Sequence, residues 1–251
     1  MKPIIMTCAL ASCVFLSSAY AQSVASVNAA LRYWMAFAVL HDPPADQATA
    51  ELLDRVAAGT SPWDEAKLGR ILDENVEAIE IMQRATRLTA CDWGLEYELG
   101  SRTPIAHLAK GRVLGRLNGV EAARLASRGQ LAPAVDAWLA GVRFSQHLAS
   151  GGTLISLLSA RLSLSPALKS LARVAPQLDA AQRKQIDTVV RALPQAGFNW
   201  SEAMKREGDV LATAKRLDPS LSAPMPSQAR VDMAANEVRA ERQAVLDAVA
   251  K

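Results

Sequence analysis

Cysteine is scarce in this chain, and aromatic residues make up only 5% of its 251 residues. The three cysteines are Cys8, Cys13 and Cys91, and the first two lie in an N-terminal apolar segment that we expect to be removed. A mature chain that keeps Cys91 alone has no internal disulfide, so its fold must rely on a hydrophobic core. The few histidines are scattered singly, without the spacing of zinc ligands. We therefore expect no metal and no cofactor.

Stretches that alternate apolar and polar residues, the signature of half-buried β-strands, are also missing. Ala and Leu dominate the apolar half of the composition, whereas β-branched residues are sparse, which favours helices packed on helices. No apolar run after the N-terminal segment reaches the roughly 20 residues that a membrane-spanning helix needs. The run at 154–168 is interrupted by Arg161. We predict an all-α fold with no transmembrane span after signal removal.

Residues 1–21 resemble a secretory signal peptide. Lys2 precedes an apolar run, and Ala19-Tyr20-Ala21 gives the small-x-small pattern of a cleavage site. This predicts export to the bacterial periplasm or beyond, with a mature chain that begins at Gln22. In an alternative interpretation, residues 10–13 form a lipoprotein processing box and Cys13 becomes the lipid anchor. We prefer the first interpretation because the apolar run continues past Cys13.

Apolar residues at three- and four-residue spacing, together with capping residues, predict nine helices. They are expected at 23–40, 45–58, 61–88, 103–127, 130–150 and 153–174, after Asp179 and Asn199, and at 228–250. Thr153 is expected to cap the sixth helix, and Asp179 with Gln182 and Asn199 with Glu202 have capping-box spacing. Short turns between them predict antiparallel helical hairpins, stacked as a short α-solenoid or closed as an irregular bundle. The predicted organisation is a helical-hairpin domain at 22–217, followed by a Pro/Ser-rich link and an amphipathic helix at 218–251.

The small and large residues of segment 118–146 follow the pattern of one tetratricopeptide repeat. They are Ala122, Leu125, Ala134, Trp138 and Gly141, with Gly129 near the turn. More of the chain, at 91–94, 134–139 and 152–158, resembles a loose group of exported bacterial helical proteins. This resemblance implies a tetratricopeptide-like helical fold and no particular reaction.

Charge is divided along the chain. Residues 42–98 contain thirteen acidic and five basic residues, whereas 102–173 contain ten basic and two acidic residues. Such a division can pull the two halves together, present faces of opposite charge to partners, or simply leave solvated helix faces. The sequence alone leaves all three interpretations open.

The densest group of reactive residue types is Cys91, Asp92 and His107. A thiol beside a carboxylate, with an imidazole from the next helix, is a candidate for an activated nucleophile. The surrounding sequence has no catalytic family signature and no glycine-rich oxyanion element. We prefer a structural loop in which Cys91 and Trp93 pack between helices.

Gly111, Gly115 and Gly119 recur every four residues in the predicted fourth helix. Each costs about 1 kcal/mol relative to alanine in a helix interior, so something is expected to pack very close to them. One interpretation is a neighbouring helix. The other is a groove for an extended ligand, and its candidate binding residues are Arg112, Gly115, Arg116 and Arg124.

We expect a non-enzymatic helical-repeat module, periplasmic or secreted, that binds a protein, a peptide or an anionic envelope ligand. The alternative is a hydrolase that uses Cys91, Asp92 and His107. Nucleic acid is not an expected partner, because the basic residues are not interleaved with exposed aromatic residues.

Overall fold

The computed structural model describes residues 28–221 and 225–251. Of these residues 74% are helical and none forms a strand, so the predicted all-α fold is confirmed. Asn28 and Ala90 form one isolated backbone bridge. The predicted signal peptide, Cys8 and the alternative lipid anchor at Cys13 lie outside the described residues.

Ten α-helices and two short 3₁₀ helices form within these two ranges. The α-helices are α1 (Ala29–Ala38), α2 (Gln47–Ala57), α3 (Glu65–Asp73), α4 (Val76–Ala85), α5 (Ala106–Ser127), α6 (Leu131–Ala149), α7 (Leu154–Val174), α8 (Ala180–Arg191), α9 (Trp200–Leu217) and α10 (Gln228–Val249). The 3₁₀ helices are Tyr97–Arg102 and Ala175–Gln177. None of the helices in the described part of the chain is long and apolar enough to cross a membrane.

The predicted third helix, 61–88, is wrong as a single element because Asn75 divides it into α3 and α4. The side-chain Nδ2 of Asn75 donates to the carbonyl of Ile71, the acceptor that its own backbone N–H would use in a continuous helix. Its Oδ1 accepts the backbone N–H of His41. Asn75 is buried, so these hydrogen bonds satisfy a polar side chain inside the core.

Helix capping agrees with the sequence at two ends and differs at a third. Asp179 and Gln182 form the predicted capping box at α8, and Asn199 accepts the N–H of Glu202 at α9. Thr153 was expected to cap α7, but its side chain makes no capping hydrogen bond. Instead the N–H of Leu154 donates to Glu207 of α9.

The consecutive helices α5, α6 and α7 pack on one another as antiparallel pairs at the centre of the molecule. Their fully buried side chains include Leu117, Phe144 and Leu164. Helices α1, α2 and α4 pack against α5, whereas α8 packs against α6 and α10 packs against α7. Val238 and Val245 of α10 are fully buried in the same core. The C-terminal helix therefore contributes to the packing of the preceding helices.

Ion pairs link the acidic segment of the chain, 42–98, to the basic segment, 102–173. Basic residues on or just after α5 pair with carboxylates of the acidic segment. The pairs are Lys110–Asp42, Arg116–Asp54, Arg124–Asp73 and Arg128–Glu65. Most of these side chains are partly exposed, so each pair contributes about 0–1 kcal/mol. Arg112 is the basic residue of α5 that has no ion pair with a described residue.

Candidate functional site

Hydrogen bonds anchor the loop around Cys91 to α1 and α6. The side chain of Asn28 brackets the backbone of Asp92, donating to its carbonyl and accepting its N–H, both at 2.9 Å. The indole Nε1 of Trp93 donates to the carbonyl of His147 at 2.7 Å. Ser150 Oγ donates to the carbonyl of Cys91. These hydrogen bonds fix this part of the loop between α1 and α6.

The chemical environment of the predicted catalytic residues opposes nucleophile activation. Burial and the charge of Asp92 raise the pKa of Cys91 to about 12, so the thiol stays protonated at neutral pH. Burial lowers the pKa of His107 to about 4. The His107 ring stacks on Trp93 with ring centroids 4.4 Å apart, and its Nε2 has no partner among the described residues. No hydrogen bond links Cys91 or Asp92 to His107 in the described structure.

A second histidine contact, which no local sequence pattern predicts, lies in the same region. Tyr33 of α1 is fully buried, and its Oη lies 2.6 Å from Nδ1 of His147. The two residues are 114 positions apart, so no sequence spacing could have suggested the pair. Tyr33 also packs against Trp93 and Phe144, with ring centroids 5.7 and 4.9 Å apart.

The glycines of α5 allow three different helices to approach it closely. A Cβ at Gly111 would lie 2.7 Å from Leu148 of α6. One at Gly115 would lie 2.1 Å from Ser163 Oγ of α7, and one at Gly119 would lie 3.2 Å from the Cβ of Ala57 of α2. Helix packing therefore explains the glycine spacing, as the first interpretation of the sequence proposed.

A small cavity of about 280 Å³ remains beside these contacts, between α2, α5, α6 and α7. Gly115, Gly119 and Gly141 contribute to its wall, and we call it the glycine cavity. Trp138 and Ser163 also line it, and they are only 4% and 7% exposed. Neither Trp138 Nε1 nor Ser163 Oγ has a hydrogen-bond partner among the described residues. Two residues that line this space thus carry buried polar groups without a protein partner.

Three of the four predicted ligand-binding residues meet at this cavity, and the fourth lies elsewhere. Arg112, Gly115 and Arg116 line it. The Nε of Arg116 is held 2.9 Å from Asp54, whereas Arg112 is exposed and has no described ion pair. Arg124 contributes to a separate surface depression, where it pairs with Asp73 and with Glu121.

A shallow groove along α7 continues from the mouth of the glycine cavity. Arg112, Leu162 and Pro166 line both spaces. Ile155, Leu158 and Leu162 add an apolar floor and are 50%, 47% and 60% exposed. Pro166 has no N–H, so the carbonyl of Leu162 one turn earlier lacks its usual helical donor. We call this surface the α7 groove.

No family model, curated protein sequence or solved structure matches this chain. In the part of the chain that the structure describes, no group of three or more His, Cys, Asp or Glu side chains is arranged to hold a metal ion.

Proposed function

We propose that this chain is a non-enzymatic helical module that binds the carboxyl-terminal end of an extended, apolar peptide. The observation that carries the proposal is the glycine cavity, where Trp138 Nε1 and Ser163 Oγ are buried without a partner. The terminal carboxylate would lie in this cavity. The preceding residues would lie along the α7 groove.

A carboxylate supplies the hydrogen-bond acceptor that the buried donors at the glycine cavity lack. An indole N–H can only donate, and a buried donor left without an acceptor costs about 1–3 kcal/mol. A ligand oxygen that accepts from Trp138 Nε1 and Ser163 Oγ would recover this cost. The cavity of about 280 Å³ that remains between the helices packed at Gly115 and Gly119 gives the ligand terminus its space.

Charge at the mouth of the cavity favours the same ligand. Arg116 forms an ion pair with Asp54, and Arg161 in the α7 groove forms one with Glu237 of α10. Arg112 has no ion pair within the described ranges and lines both spaces. Its guanidinium is therefore available to a carboxylate, and a charge-assisted hydrogen bond of this type is stronger than a neutral one.

The α7 groove favours a peptide over an acyl chain. The exposed side chains of Ile155, Leu158 and Leu162 can cover apolar ligand groups in either case. Pro166 provides no N–H for the carbonyl of Leu162, so this carbonyl is free of its usual helical donor and can accept an N–H from a ligand. A peptide backbone provides such a donor, whereas an acyl chain does not.

The proposal retains two features expected from the sequence. The periplasm or the extracellular space is the proposed location, on the basis of the signal-like residues 1–21. A relation to the tetratricopeptide class is supported by the packed α5–α6 pair, in which Ala122 and Ala134 are fully buried and Gly129 adopts a φ of +75° at the turn. Such helical modules commonly present extended binding surfaces.

Selection of displayed peptides on the full chain tests this function. Short random peptides with free carboxyl termini are selected, and the enriched sequences are synthesised as the acid and as the C-terminal amide. We expect fluorescence anisotropy to show the acid binding at least about tenfold more tightly than the amide, a difference of about 1.4 kcal/mol. Arg112→Ala should weaken binding of the acid by a similar factor.

The matched control is Arg216→Ala, which removes an exposed arginine at the end of α9, away from the cavity. This variant should bind like the wild type. A labelled long-chain fatty acid distinguishes the alternative ligand class. If no peptide is enriched, if acid and amide bind equally, or if the fatty acid binds while peptides do not, the proposal is wrong.

A further inference from the structure

A second and larger cavity, of about 780 Å³, opens between α4, α6 and α8. We call it the α8 cavity. Its apolar wall includes Leu88, Ala140, Val142, Val189 and Leu193. None of these residues lines the glycine cavity or the α7 groove. The α8 cavity is therefore independent of the function proposed above, and its volume is in the range of small-molecule sites.

Two guanidinium groups in the cavity wall have no anionic partner. Arg87 follows α4 and Arg143 lies on α6, and neither forms an ion pair with a described residue. Arg143 is half-buried, so its charge is partly removed from water without compensation. The carboxylate in the same wall, Asp136, already accepts a hydrogen bond from Gln185 of α8. An anionic group bound here would complement the two arginines.

His147 adds a neutral donor to the same wall. Its Nδ1 faces Tyr33, and the buried phenol has His147 as its one hydrogen-bond partner within the described structure. Burial raises the pKa of Tyr33 and lowers the pKa of His147, so both groups are neutral at pH 7. In the neutral tautomer that accepts the phenol proton at Nδ1, the ring proton lies on Nε2. Nε2 has no partner among the described residues.

We infer that the α8 cavity is a binding site for a small amphipathic anion, a molecule that joins a carboxylate or phosphate group to an apolar body. Arg87, Arg143 and His147 Nε2 bind the anionic group. The apolar body packs against the side chains of α6 and α8. This ligand class follows from the combination of cationic and apolar walls, since an inorganic anion would leave the apolar wall hydrated.

Nuclear magnetic resonance of the imidazole rings tests the inference directly, because the chain has three histidines and only His147 of the three lines this cavity. The full chain is titrated with decanoate, decyl phosphate, decanol and inorganic phosphate. We expect decanoate or decyl phosphate to shift the His147 signals saturably. His41, which is exposed and lies outside the cavity, should show no such shift.

Variants on the cavity wall give the matched comparison. Arg143→Ala should weaken the binding of the amphipathic anion by at least about tenfold. Asp136→Asn removes a negative charge from the same wall and should strengthen the binding of the anion. Arg216→Ala and Arg112→Ala should leave the affinity for the anion unchanged. Because Arg112→Ala is expected to weaken peptide binding, this variant distinguishes the α8 cavity from the peptide site.

Three outcomes would overturn the inference. The first is that none of the anionic amphiphiles shifts His147. The second is that decanol binds as tightly as decanoate, because then the arginines take no part. The third is that inorganic phosphate alone binds as tightly as decyl phosphate, because then the apolar wall contributes nothing.

Discussion

Tyr33 and His147 are joined by a hydrogen bond of 2.6 Å between the phenol Oη and the imidazole Nδ1. This bond connects α1 to α6 inside a cluster of aromatic rings that also includes Trp93 and Phe144. The carbonyl of His147 accepts the indole N–H of Trp93. His147 is therefore a common anchor for α1 and for the loop that contains Cys91.

Removing the phenol hydroxyl tests this anchor. Tyr33→Phe keeps the ring packing but leaves Nδ1 of His147 without its partner, so we expect the free energy of unfolding to fall by about 1–2 kcal/mol. Urea denaturation measures the change. Tyr97→Phe is the control, since the Tyr97 hydroxyl donates to the carbonyl of Gly151 from a half-buried position where water can replace it. An equal loss in both variants would contradict a special role for the buried pair.

The stability of the protein should depend on pH through its buried histidines. Burial lowers the pKa of His107 from an ordinary value of 6.5 to about 4, and it lowers the pKa of His147 as well. Between about pH 4 and pH 6.5 the unfolded chain therefore binds more protons than the folded chain. The free energy of unfolding therefore decreases as the pH falls from about 6.5 to about 4.

Denaturation midpoints measured across this pH range provide the test. His107→Phe retains an aromatic ring against Trp93 and removes the titrating group, so the pH dependence should become shallower and the contribution of His147 should remain. Tyr97→Phe is the control and should keep the wild-type slope, because the Tyr97 hydroxyl, with a pKa raised by burial, does not titrate in this range. A slope that is the same in His107→Phe and in the wild type would show that His107 does not contribute.

The helices were largely predictable because capping residues and apolar spacing are local signals. Asp179 and Gln182 mark the start of α8 in the sequence as they do in the structure. The break at Asn75 was missed because it depends on a hydrogen bond from His41, which is distant in the chain. The glycine spacing correctly indicated close packing. The unpaired groups of Trp138 and Ser163 could not be foreseen, because whether a polar side chain finds a partner depends on how separate helices meet.

Two helical glycines should respond in opposite ways to the same substitution. At Gly115 a Cβ would lie 2.1 Å from Ser163 Oγ, so we expect Gly115→Ala to destabilise the fold by about 1–3 kcal/mol. Gly208, in α9, has no atom within 4 Å of the added Cβ. Gly208→Ala should therefore stabilise the fold by up to about 1 kcal/mol through helix propensity alone.

A double variant separates the Gly115 contact from a general helix effect. Ser163→Ala removes the hydroxyl that the new methyl group would meet, so the combined variant should lose less than the sum of the two single variants. Thermal or urea unfolding of the four proteins gives the coupling. Additive losses would mean that Gly115 is required for a reason other than contact with Ser163.

Cys91 should react slowly with alkylating reagents in the folded protein. Burial and the Asp92 charge raise its pKa to about 12, so the thiolate that attacks iodoacetamide is rare at pH 8. Mass spectrometry of the peptide that contains Cys91 follows the labelling separately from Cys8 and Cys13. We expect denaturation to accelerate labelling by at least about tenfold, because the unfolded thiol has a pKa of about 8.5.

Asp92→Asn should accelerate labelling of the folded protein modestly, since burial is the larger cause of the raised pKa of Cys91. Labelling that is faster in the folded than in the unfolded chain would contradict the packing role and would favour the hydrolase hypothesis built on Cys91, Asp92 and His107.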